Sequence, residues 1–69
     1  MKVNKRKMII AMTRKQMSIL DLALEAGIDP ATVSRAKRHE SISLTSIGRI
    51  AKALGMDPSE LIEWEGNDE

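Results

Sequence analysis

Within four residues, Gly27-Ile28-Asp29-Pro30 stops one helix and starts another, and few folds accommodate so abrupt a change of direction. Gly27 takes φ > 0 at no steric cost, so a helix before it can end sharply. Asp29 is a good N-cap and Pro30 is preset for the first helical position, so the next helix begins at once. Ile28 is apolar and placed to plug the angle between the two. Upstream, Ser18 caps a helix expected over residues 19–26, with Ile19, Leu22, Ala23 and Ala26 at helical spacing. Downstream, a helix over residues 30–38 has only Ala31, Val33 and Ala36 for an apolar face, Val33 being the firmest inward residue. Its other face carries Thr32, Ser34, Arg35 and Arg38.

This is the layout of a helix-turn-helix, whose second helix enters the major groove of DNA. Ala23 is small enough for close crossing, Gly27 permits the turn, and Val33 locks the crossing from the far side. The alternative is an ordinary αα-hairpin in a small bundle, because any glycine-turned helix pair looks similar.

The flanking segments complete an all-α, five-helix reading. Met1 to Val3 is expected to be a loose basic arm. Asn4 caps a first helix to about Lys15, with Met8, Ile9 and Met12 inward and Ile10 and Ala11 flanking. Gln16 and Met17 connect it to Ser18, Met17 as a buried hinge plug. After a polar loop from His39 to Ser43, Ser43 caps a fourth helix, Leu44 to Leu54. Its apolar residues Leu44, Ile47, Ile50, Ala51 and Leu54 form one stripe, and Gly55 ends it. Met56 is then free to fold back on that stripe. Asp57-Pro58 repeats the cap-plus-proline device and opens a short fifth helix to about Ile62 or Glu63. Residues 66–69 form an acidic tail expected to be disordered. No strand signal and no internal repeat is evident, so the chain reads as one domain over residues 1–69.

Composition narrows the function. There is no Cys, and the single His39 cannot make a metal centre alone, so no metal or cofactor is expected. Trp64 is the only aromatic residue, which argues against single-strand binders built on stacking platforms. No nucleophile–base pair or phosphate-cradling glycine loop is present; an enzyme is not expected, nor a small-molecule ligand. No apolar run approaches the ~18 residues of a membrane span, and Met8 to Met12 is too short for a secretory signal, so a cytoplasmic protein without a membrane partner is expected. Net charge is only +1, yet it is segregated. Lys2, Lys5, Arg6, Lys7, Arg14 and Lys15 crowd the start; Asp57, Glu60, Glu63, Glu65, Asp68 and Glu69 crowd the end. The basic part can face a polyanion while the acidic part points away.

Residues Ser18 to Leu54 resemble the Cro/phage-repressor (Xre-type) helix-turn-helix family. The resemblance rests on Leu22-Ala23, Gly27, Val33 and Ala53-Leu54-Gly55, followed by Met56-Asp57-Pro58-Ser59-Glu60-Leu61. It implies a compact five-helix, lambda-repressor-like domain with the helix-turn-helix at the second and third helices. The segment Ala31 to Arg35 also resembles the recognition helix of LacI-type repressors, but the hinge and sugar-binding domain of those proteins are not expected here. Three departures stand out. Ile19 occupies the place of a phosphate-binding Gln, leaving Ser18 as the possible substitute. Met12 and Lys37 occupy the places of an Arg–Glu pair, consistent with a buried ion pair exchanged for packing. His39 stands where a Gly usually follows the third helix, a position His tolerates.

In such a docking the base-edge candidates are Pro30, Ala31, Ser34 and Arg35, and only Arg35 carries a strong code, toward guanine. Phosphate candidates are Arg14, Lys15, Ser18, Thr32, Arg38, His39, Ser41 and Ser43. The leading expectation is a sequence-specific regulator of double-stranded DNA, acting as a repressor without an effector domain. The alternative is an antitoxin-like or adaptor interaction module on the same fold, favoured by Ile19, Leu20 and Leu24 on the second helix. Met56, Ile62 and Trp64 are candidates for the surface of a weak homodimer formed mainly on DNA. Leu61 is expected in the core, with Ile62 or Trp64 left partly exposed unless Trp64 folds back as a lid. Glu60, Glu63 and Glu65 are expected to repel across a dimer axis.

Overall fold

The computed structural model describes residues 1–64. Five helices are present: α1 (Lys5–Arg14), α2 (Ile19–Ala26), α3 (Pro30–Lys37), α4 (Leu44–Leu54) and α5 (Pro58–Leu61). The tail over residues 66–69, expected to be disordered, lies outside the described residues. Each helix starts as its sequence dictates. The side chains of Asn4, Ser18, Asp29, Ser43 and Asp57 each accept a hydrogen bond from a backbone N–H in the first turn.

Four helices end alike, in a left-handed residue followed by a backbone bond reaching back five positions. At α2 the residue is Gly27, φ 71°, and Ile28 N–H donates to the Ala23 carbonyl at 3.1 Å. At α4 it is Gly55, also φ 71°, and Met56 N–H donates to Ala51 at 2.9 Å. His39, φ 65°, closes α3 with Glu40 N–H on Arg35 at 2.9 Å; Gln16, φ 56°, closes α1 with Met17 N–H on Met12 at 2.9 Å. His39 thus takes the left-handed conformation expected of the glycine it replaces. Gln16 gave no such warning.

Two expectations are corrected at the termini. The arm Met1 to Val3 is not loose: Lys2–Val3 is a strand, β1, antiparallel to β2 (Ile62–Glu63), with Lys2 opposite Glu63 and Val3 opposite Ile62. Val3 is fully buried, and its side chain supplies the energy that orders the arm. Asn4 N–H donates to the Leu61 carbonyl at 2.7 Å, and Ile42 N–H donates to the Met1 carbonyl at 2.8 Å. Consequently α5 stops at Leu61, because Ile62 and Glu63 are taken into the strand pair.

The core is assembled from Val3, Met8, Ala11, Met12, Leu22, Ala23, Val33, Ala36, Ile42, Ile47, Ile50, Ala51, Leu54 and Leu61, and no polar or charged residue is buried among the described residues. Met12 lies in this apolar core. Met17 and Met56 pack against it, half-buried. On α1 the inward set is Met8, Ala11 and Met12, not Met8, Ile9 and Met12. Those three residues span about 100° of the helix; Ile9 falls at the side of that arc and Ile10 nearly opposite it, half-exposed. Leu44, expected in the α4 stripe, is 60% exposed at the helix start, whereas Ile42 from the loop before it is buried in the core.

Candidate nucleic-acid interface

Ala23 and Val33 are buried at the crossing of α2 and α3, and Gly27 makes the turn between them. Burial of Val33 and Ala36 fixes the rotation of α3. Pro30, Ala31, Ser34, Arg35 and Arg38 then fall within an arc of about 140° on the opposite side. Of these, Pro30, Ala31, Arg35 and Arg38 are exposed; Ser34 is half-buried, as is Thr32 at the edge of the arc. Among the described residues Arg35 makes no ion pair. The expected base-reading residues therefore share one face, and among the described residues Arg35 is its one unengaged cation.

The phosphate candidates divide. Ser41 and Ser43 are exposed in the loop and cap between α3 and α4, but the Ser41 hydroxyl is held by Met1, accepting from its amino group at 2.8 Å and donating to its carbonyl at 3.3 Å. The Ser43 hydroxyl accepts from Ser46 N–H at 3.1 Å and lies 3.0 Å from the Ser46 hydroxyl, and the first turn of α4 carries no acid. That first turn presents hydroxyls and amides and contributes no acid of its own. Ser18 is different. Its hydroxyl accepts from Asp21 N–H at 3.1 Å while the Asp21 carboxylate accepts from Ser18 N–H at 3.0 Å, a reciprocal capping box. The backbone and side chain of Ser18 hold the Asp21 carboxyl below the usual aspartate range. The start of α2 is closed by its own anion.

Two further candidates are engaged by acids that sequence reasoning passed over. Arg38 Nε donates to Glu40 at 3.0 Å. His39 Nε2 meets the Glu63 carboxylate, tying the loop after α3 to β2. The Arg38-x-Glu40 and Ser18-x-x-Asp21 spacings were visible signals; nothing local links residues 39 and 63. Arg14 and Lys15 stand toward the end of α4: Arg14 lines a groove with Leu54 and Gly55, and the Lys15 ammonium lies 3.9 Å from where a Gly55 Cβ would sit. Arg49 takes the matching place at the end of α2, its guanidinium 3.6 Å from where a Gly27 Cβ would sit. Both cations lie at helix C-termini, where the helix dipole favours them.

The helix-turn-helix, its exposed third helix and the five-helix frame coincide with what comparison with known families finds. Residues 7–67 match the Cro/C1-type HTH DNA-binding domain, and the chain belongs to that family. No curated protein and no solved structure matches the chain significantly. Among the described residues no helix is long and apolar enough to cross a membrane.

Proposed function

We propose that this protein is a sequence-specific regulator of double-stranded DNA that represses by occupying its operator, in the cytoplasm. The observation that carries the reading is the exposed α3 face, where Arg35 stands free of any acid among the described residues, one turn beyond Ala31. Its guanidinium would take O6 and N7 of a guanine, worth ~1–3 kcal/mol of discrimination. Ala31 would contact a thymine methyl, Pro30 and Ser34 would fill the groove beside it, and Ser43, Ser41 and Thr32 would bond phosphates. Two copies, paired weakly and mainly on DNA, would read half-sites ~34 Å apart.

Selection of random duplexes by the purified protein tests this directly. A recovered consensus with a guanine whose contribution vanishes in Arg35→Ala is the expected result. Equal loss on the consensus and on random DNA would mean that Arg35 touches only phosphate. A second reading, an antitoxin-like or adaptor module, is favoured by Leu20 and Leu24, 62% and 82% exposed one turn apart on α2. Ile19 no longer supports it, being half-buried against the core. Duplex affinity falling steeply with salt belongs to the first reading alone.

A further inference from the structure

The loop from His39 to Ser43 joins α3 to the start of α4, and it is tied to the terminal strand pair at both ends. Toward α4, Ile42 is buried and its N–H donates to the Met1 carbonyl, just ahead of β1, at 2.8 Å. Toward α3, His39 Nε2 meets the Glu63 carboxylate on β2. The Arg38–Glu40 pair stays between neighbours and anchors the loop to no other element. Two more cations stand near Glu63: Lys2 lies opposite it across the strand pair, and Lys5 lines the same cleft together with Asn4 and His39. Among the described residues neither forms an ion pair with it, so the imidazole alone holds the carboxylate.

Stability does not account for this contact. The two side chains are 40% and 45% exposed, where such a pair contributes little. His39 sits at φ 65°, a conformation that glycine takes without strain. Of the two non-glycine residues at positive φ, only His39 makes a side-chain bond among the described residues. Charge does not account for it either, because a carboxylate beside a loop that faces a polyanion repels it. We propose that His39 and Glu63 form a strut, a positioning pair that holds the loop, and with it the Ser43 cap and the first amides of α4, in the geometry that meets a phosphate. The strut rests on the DNA-binding regulator put forward above. It changes the part of His39 from a phosphate contact to a positioning residue. A loop ordered before binding loses less freedom on the duplex, and that gain outweighs the repulsion from Glu63.

Titration of a labelled duplex separates position from charge, because the two have opposite signs. By charge alone, removing an acid from the binding face tightens binding. Glu63→Ala is expected instead to weaken it about threefold or more, on consensus and random duplexes alike. Glu63→Gln, whose amide oxygen still accepts from His39 Nε2–H, should recover the lost affinity. His39→Gly removes the strut and the left-handed strain together, so binding should weaken about threefold while the melting temperature does not fall. In the DNA-free protein the Ile42 N–H should exchange faster in Glu63→Ala and in His39→Gly than in Glu63→Gln. A wild type that binds duplex while Glu63→Ala binds as tightly or more tightly would overturn the strut and leave the regulator standing. A wild type that binds no duplex, with Ile42 exchange still responding to Glu63→Ala, would overturn both, since the loop would be held but would have no phosphate to meet.

Discussion

Helices α2 and α4 are built alike at one end and differently at the other. Both end in a glycine at φ 71°, with a cation from elsewhere in the chain beside it. Both start from a serine cap. The third residue of α2 is Asp21, whose carboxylate returns to the Ser18 amide; the third residue of α4 is Ser46, which adds a hydroxyl and no charge. One start is sealed by an internal anion and the other is open to an external one. A serine cap alone does not mark a phosphate site; the residue three places on decides whether the helix dipole is already spent.

The shared ends give the largest expected effects. A β-branched residue at φ > 0 costs roughly 1–2 kcal/mol or more. Gly27→Val and Gly55→Val should both lower stability by at least that in chemical denaturation. Space is not the reason, since the nearest atoms would lie at 3.6 and 3.7 Å, ordinary contact. Gly48, inside α4 with nothing within 4 Å of an added Cβ, gives the opposite sign. Gly48→Ala should stabilise by roughly 0.5–1 kcal/mol. A Gly27→Val protein melting with the wild type would break the likeness of the two ends.

The different starts give a smaller effect on binding. Ser46→Asp would give α4 the sealed start of α2 and should weaken DNA binding about fivefold, whatever the sequence. Asp21→Ser would open α2 and should strengthen it about threefold. Titration of a labelled duplex measures both. Opposite signs sharpen the contrast, and a shared sign would show that neither start faces phosphate.

These ends and starts were also the most legible parts of the sequence. Gly27, Gly55, Asp29-Pro30 and Asp57-Pro58 act within one turn of the chain, so reading them needs no knowledge of what packs against them. The helix-turn-helix and the α3 face follow from such local signals. What stayed hidden depends on distant partners. Two residues of strand show no periodicity, and Val3 orders the N-terminus only because Ile62 and the core are there to receive it. Ile9 and Ala11 could not be ranked until α1 had neighbours, since a larger apolar residue lost its inward place to a smaller one. At the site, the Glu63 contact to His39 joins residues far apart in sequence, and the open start of α4 became meaningful only beside the sealed start of α2.

The smallest effect is a titration, and it isolates the chemistry behind the contrast. Asp21 is held below the usual aspartate range first by the Ser18 backbone N–H and then by the Ser18 side chain. Asp57 is lowered in the same way at α5, first by the Ser59 hydroxyl and then by its backbone N–H. A depressed folded-state value means that each carboxylate stabilises the fold fully above the pKa of an unfolded aspartate. That stabilisation is lost as pH falls through the lower, folded value. Acid should therefore loosen the starts of α2 and α5 while the cap of α4, built from two hydroxyls, has no group of its own to protonate. Amide chemical shifts followed from neutral pH into acid read this residue by residue. Ser18 and Asp21 should titrate together below the usual aspartate range, and so should Ser59; Ser46 should show no step of its own. In Asp21→Ser the Ser18 step should vanish while that of Ser59 stays. A Ser18 step surviving the substitution would show that the seal on α2 is not Asp21, and the contrast with α4 would lose its cause.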